Sequence, residues 1–102
     1  MELLPEELRQ QLPPLYSQEN EKDPMVLVKF FHPLANMAWY AIEGSPEEDD
    51  FIFFGWVHSD SSELGYFSLN EMQAVEVMGL GIERDLLFTP MRLSEVKKLH
   101  SR

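Results

Sequence analysis

The sequence predicts an α+β fold: a four-stranded antiparallel meander with an N-terminal helix and two C-terminal helices packed on it. Three observations carry that expectation. Residues 51–69, FIFFGWVHSDSSELGYFSL, read as two aromatic strands around a polar turn, and the end of the run doubles as a helix cap. Strand-like segments follow one another with short loops between them, which favours antiparallel neighbours. Helical patterns stand before and after the strands rather than between them.

The N-terminal helix is expected over residues 3–12, LLPEELRQQL. Pro5 suits the first helical position, Glu6 and Glu7 favour the positive end of the dipole, and Leu4, Leu8 and Leu12 recur every four residues. Pro13-Pro14 stops it, because proline cannot continue a helix and restrains the residue before it. A polar connector anchored by Leu15 and Tyr16 leads to a first strand over residues 25–32. Alternation there places Val26, Val28 and Phe30 on one face and Leu27, Lys29 and Phe31 on the other. A turn at 33–36, a second strand at 37–43, an acidic loop at 44–50, a third strand at 51–58 and a fourth at 64–68 complete the sheet.

Both faces of these strands are apolar, with Trp39, Ala41, Phe51, Phe53 and Val57 set against Tyr40, Ile42, Ile52, Phe54 and Trp56. A half-solvated sheet would alternate apolar with polar, so helices should cover one face and the N-terminal segment or a partner the other. Ser68-Leu69-Asn70-Glu71 has the capping-box form and opens a helix that turns Met72, Val75 and Met78 inward and ends at Gly79. Residues 86–88 are expected as a short extended edge piece. Pro90 opens a last helix to about Leu99 that buries Leu93, Val96 and either Leu99 or His100, with Lys97 and Lys98 suiting its negative end. No internal repeat is present, and 102 residues fit one domain.

An apolar share of 44% with 12% aromatic residues is that of a folded protein. The absence of cysteine excludes disulfides and thiolate metal sites, and without a signal peptide the expected compartment is the cytoplasm. No apolar run approaches the roughly 20 residues of a membrane span. Charge is the unusual bulk property. The net is −10, and between Phe30 and Glu83 lie ten acids and no Lys or Arg, while Arg92, Lys97, Lys98 and Arg102 crowd the C-terminus. A field of that sign repels phosphate, so nucleic-acid binding by the main body is not expected.

No catalytic, cofactor or metal motif stands out. Glu47, Glu48, Asp49 and Asp50 lack the alternating oxygens and turn glycine of a cation loop, and read as a solvated turn or a surface for a basic partner. His32, His58 and His100 form no metal-binding spacing, although His32 and His58 both end strands and would share a sheet edge. Ser59, Asp60, Ser61 and Ser62 beside His58 read as a turn, since triads assemble from separate elements. Arg84, between Glu83 and Asp85, is expected in an ion pair that ties its segment to the sheet, or as a functional surface residue. Tyr40, Phe54, Trp56, Tyr66 and Phe67 are expected in the core, or in a protein-binding patch if one face is open.

Several blocks in fixed order resemble one family: LPPLYSQE near the N-terminus, then DPMVLVKFFHP, WYAIE, FFGWV, ELGYFSLNE and GLGIERDLLF. It is a small bacterial family of uncharacterised domains carried by plasmids, phages and integrative elements, and the resemblance spans about Leu12 to Leu93. It implies no activity and no catalytic residues. It does imply a setting among accessory genes of mobile elements, where countering host defence or assisting DNA transfer are the expected roles.

The leading expectation is therefore a small acidic protein that binds a protein partner through Glu47, Glu48, Asp49, Asp50, Trp56 and Arg84, as monomer or homodimer and without cofactor. Two alternatives stand beside it: an enzyme or small-ligand binder with a site near His58 and Arg84, and a homodimeric structural protein with no activity of its own.

Overall fold

Aromatic and β-branched residues dominate the middle of the chain, and that stretch builds the sheet. The computed structural model describes residues 1–101. In chain order the elements are α1 (Glu6–Gln11), β1 (Met25–Val26), β2 (Val28–Phe31), β3 (Ala38–Glu47), β4 (Asp50–His58), β5 (Glu63–Ser68), α2 (Leu69–Ala74), β6 (Glu83–Arg84), β7 (Met91–Arg92) and α3 (Leu93–Leu99). The class is α+β, as the sequence indicates. The main sheet, however, has five antiparallel strands in the order β5-β4-β3-β2-β6, and β1 pairs with β7 in a separate two-stranded ribbon.

Each departure from expectation has a local cause. The first strand breaks at Leu27, whose N–H goes to the Ala41 carbonyl, so Val26 turns to the opposite side of the sheet from Val28 and Phe30. The acidic loop is shorter than expected: β3 and β4 run to Glu47 and Asp50, leaving the two-residue turn Glu48-Asp49 with Glu48 at φ 54°. Extended pairing at residues 83–84, with Phe30 opposite Arg84, replaces the edge piece expected at 86–88, where the chain turns. Helix α2 stops at Ala74. Val77 and Leu80 instead exchange backbone hydrogen bonds around Met78 and Gly79, both at positive φ (54° and 80°), the pattern of a type I′ turn. Met78 is consequently 88% exposed rather than packed inward, and Val75 is exposed too.

Two cores result, one on each face. Leu3, Leu4 and Leu12 around α1, with Leu69 and Met72 of α2, pack on Val28, Phe30, Ala41, Phe51, Phe53 and Phe67. Leu93 and Val96 of α3 pack on Val26, Tyr40, Ile42 and Trp56, with Phe88 and Met91 closing the side. The expected capping Ser68 does cap α2, its Oγ accepting from the Glu71 N–H at 3.2 Å. Asp23 reaches across to α3, accepting from the Ser94 N–H and Oγ, and those bonds hold its carboxyl below the usual range.

The centre of the sheet depends on two close approaches. Ala41 pairs with Gly55 and Glu43 with Phe54, so Ile42 is the extra residue of a β-bulge. Alternation slips by one there. Ile42 and Glu43 both face the second core side, while Gly44 returns to the first, against Phe51 and Leu12. A side chain on Gly55 would run into the Tyr40 carbonyl, which is backbone and cannot yield. Gly55→Ala should therefore lower stability by about 3 kcal/mol or more, or abolish folding, read by urea denaturation. Met78→Asn should act oppositely, since Asn-Gly suits a type I′ turn. A gain of about 1 kcal/mol in the same assay is expected, and a loss would contradict the turn assignment.

Candidate functional site

The bulge determines what lies on the second face. Strand β2 pairs only with Ala38–Ala41, leaving the far half of β3 without a strand neighbour on that side. Residues 13–18 fill the gap: Gly44 donates its N–H to the Pro13 carbonyl, and Leu15 donates to Ser45 Oγ. Glu43, 3% exposed, then accepts the Tyr16 N–H at Oε1 (2.9 Å) and the Gln18 N–H at Oε2 (2.7 Å). Those bonds hold Tyr16 at φ 73°, a left-handed conformation rare for an aromatic residue and sustained only by surrounding contacts.

A cleft of about 370 Å³ opens there, within the size range of small-molecule and side-chain pockets. Buried Ile42, Glu43 and Leu93 lie deepest, beside half-buried Phe54 and exposed Tyr16 and Tyr66. The Phe54 and Tyr66 rings are 5.0 Å apart and the Tyr16 and Tyr66 rings 6.4 Å, each pair tilted near 60°. Partial desolvation, then Tyr16 and the Glu43 and Glu19 carboxylates, push the Tyr66 phenol above its ordinary value. Of the expected core aromatics, Tyr40, Trp56 and Phe67 are buried, whereas Phe54 and Tyr66 belong to this cleft.

The predicted partner-binding residues do not converge. Glu47, Glu48 and Asp49 project from the β3–β4 turn. Asp50 is used structurally: Oδ1 accepts from Phe51 and Asn70 N–H and Oδ2 from Ser68 Oγ, locking the turn to α2 and holding the carboxyl low. Trp56 is buried in the second core. Arg84 makes no salt bridge with Glu83 or Asp85. Its Nη1 donates to the Glu2 and Leu3 carbonyls, fastening the N-terminus over β6, and Lys29 takes Asp85 at 3.5 Å. Arg84 and His58 lie on opposite faces of the sheet, so the site sketched around them does not form.

His58 meets His100, not His32. The two ring centroids lie 3.8 Å apart with the planes tilted by 31°, Trp56 stacks on His58, and Tyr40 bonds to His100 Nε2. Burial, with Asp85 adding to it, pushes the Tyr40 phenol up to about 12, so the hydroxyl stays protonated and can donate to His100 Nε2. His58 Nδ1 pairs with Ser62 Oγ at 2.7 Å in the exposed turn, with no carboxylate bonded to it among the described residues. His32 serves the fold: Nδ1 accepts the Leu34 and Ala35 N–H groups and Nε2 donates to the Leu80 carbonyl. Among the described residues no group of three His, Asp or Glu could hold a metal, and no helix is long and apolar enough to cross a membrane.

Sequence reasoning missed Glu43, Tyr16 and the role of His100. Periodicity did bring His100 to the buried side of α3 as one of two choices, and Leu99, the other, is exposed. No periodic signal reaches Glu43, whose burial follows from the bulge.

The fold is thus a two-core α+β protein with an aromatic, carboxylate-floored cleft beside β5. Residues 3–100 match a family model described as "Protein of unknown function (DUF2958)", and the chain belongs to that family. No curated protein and no solved structure matches it.

Burial lowers the His100 pKa below the ordinary 6.5, and nearby His58 and Lys29 add to the effect. The folded state therefore binds fewer protons here than the unfolded chain. The contribution is present above about pH 6.5 and is lost as pH falls through the depressed folded value. Between about pH 7.5 and about pH 5.5 the thermal midpoint of the wild type should fall further than that of His100→Gln, which keeps an acceptor for Tyr40. Parallel curves would show that His100 is not the titrating group.

Proposed function

We propose that this chain is a small acidic protein-binding module, an accessory product of a mobile genetic element, that takes up a basic extended segment of a protein partner along its β5 edge. The mobile-element setting rests on sequence resemblance. The observation that carries the binding mode is the contrast between the two edges of the main sheet. The β6 edge is short and sealed by the N-terminal segment through Arg84. Among the described residues strand β5 has β4 on one side and no strand on the other, and no other backbone hydrogen bond reaches residues 63–67.

Natural proteins blunt such edges with prolines, lysines or covering segments, because unpaired N–H and C=O groups template further strands. β5 carries neither Pro nor Lys, and Leu64 and Tyr66 stand half exposed on it. Its surroundings favour a basic partner over a second copy of the chain. Strands β3, β4 and β5 contain no Lys or Arg, and a net charge of −10 opposes self-pairing while attracting a cationic segment. Strand addition supplies affinity from main-chain hydrogen bonds and specificity from alternate side chains.

A synthetic peptide alternating Val and Arg, titrated into the isotopically labelled protein, tests this. The amides of residues 63–67 should shift, and affinity should fall at least about tenfold between about 0.05 M and about 0.5 M salt. The same peptide with every backbone amide N-methylated has no N–H to donate to β5 along either edge and should bind at least about tenfold more weakly. Equal binding of both, or shifts confined to Glu47–Asp49, would replace edge pairing with diffuse attraction to the acidic turn.

A further inference from the structure

Resting on that reading, we infer that the cleft beside β5 is a specificity pocket for an arginine side chain of the bound segment, with Glu43 as its anionic floor. Glu43 is the buried carboxylate of the main sheet, and its hydrogen bonds come from two neutral backbone N–H groups. Among the described residues no Lys, Arg or His forms a salt bridge with it. Burying a charge without a counter-charge is unfavourable, and hydrogen bonds offset only part of that. Each carboxylate oxygen has about two acceptor directions, so one on each is left beyond the Tyr16 and Gln18 N–H groups. Two such directions on one planar group match the fork of a guanidinium.

The walls suit the same ligand. Phe54, Tyr66 and Tyr16 present successive tilted rings beside the carboxylate, and a guanidinium favours aromatic faces. Glu19 and Glu21 add negative charge at the rim. Lys22 and Lys97 also border it, but both are exposed and their flexible stems can carry the ammonium groups outward.

Register brings ligand and pocket together. Tyr66 pairs with Phe54 and Leu64 with Trp56, so Leu64 and Tyr66 point to the cleft side of the sheet, while Phe67 points to the first core. Directly opposed residues on neighbouring strands share a face. A strand added at β5 would therefore direct the residue opposite Tyr66 toward the cleft, and its next neighbours away from it.

The test uses the full-length protein and three versions of the peptide, with arginine, lysine or citrulline at the position opposite Tyr66. Citrulline keeps the shape of arginine without its charge. Wild type should bind the arginine peptide at least about tenfold tighter than the citrulline peptide, with lysine between them. Glu43→Gln, which retains one of the two acceptor oxygens that the loop uses, should bring that ratio close to one while the β5 amides still shift. Tyr66→Leu, which leaves Glu43 and its loop in place, should reduce the ratio several-fold. A ratio near one in wild type with β5 shifts intact overturns the pocket and leaves edge binding standing. A lysine preference assigns the pocket to an ammonium instead and overturns the guanidinium fork. Absence of β5 shifts with all three peptides overturns both proposals.

Discussion

Strand β3 is much longer than the β2 strand beside it, and much of the architecture answers that mismatch. Beyond Ala41 its edge has no strand to pair with, yet Ile42, Glu43 and Gly44 are all buried. Buried backbone polar groups must find partners. The chain solves this by drawing residues 13–18 along the uncovered half, with the Pro13 carbonyl, Ser45 hydroxyl and Glu43 carboxylate as fastenings. That crossing carries the polypeptide from the face covered by α1 to the face covered by α3. It places Leu12 in the first core and Tyr16 beside the second face.

The bulge at Ile42 adds a second consequence. By slipping the alternation one residue, it sends Glu43 to the side where an unbulged strand would have placed the next apolar position. A glutamate is thereby held inside the protein by backbone amides alone, with aromatic rings for neighbours. Accepting a backbone N–H does not by itself require a charge, since a neutral amide or hydroxyl oxygen can do so without the cost of burying one. The two sheet edges show a similar asymmetry: one is closed by Arg84 and the N-terminal carbonyls, the other is left open beside the cleft.

Residues whose roles follow from local rules were legible in the sequence. Ser68 caps α2, Pro13-Pro14 ends the first helix region, and Leu93 and Val96 fall on the buried stripe of α3. Residues whose roles depend on distant partners were not. Arg84 is flanked by two acids in sequence yet binds carbonyls more than eighty positions away. Asp50 sits in an acidic run yet is drawn from it by Ser68 and Asn70. Met78 continues a helical apolar pattern, but His32 holds the Leu80 carbonyl and the chain reverses at Met78-Gly79 instead. In each case a tertiary hydrogen bond outweighed a local preference of a few tenths to about 1 kcal/mol.

By itself the sequence determined the α+β class, the strand-rich centre with two apolar faces, the negative field and the positions of the main turns. These depend on composition and on periods of two and about four residues, which neighbouring side chains set without help from the rest of the chain. Only the tertiary structure decided that the sheet has a fifth strand, that one edge is open, that His58 meets His100, and that Glu43 floors an aromatic cleft. Each of those depends on register, and a one-residue shift in register exchanges the faces of every side chain that follows.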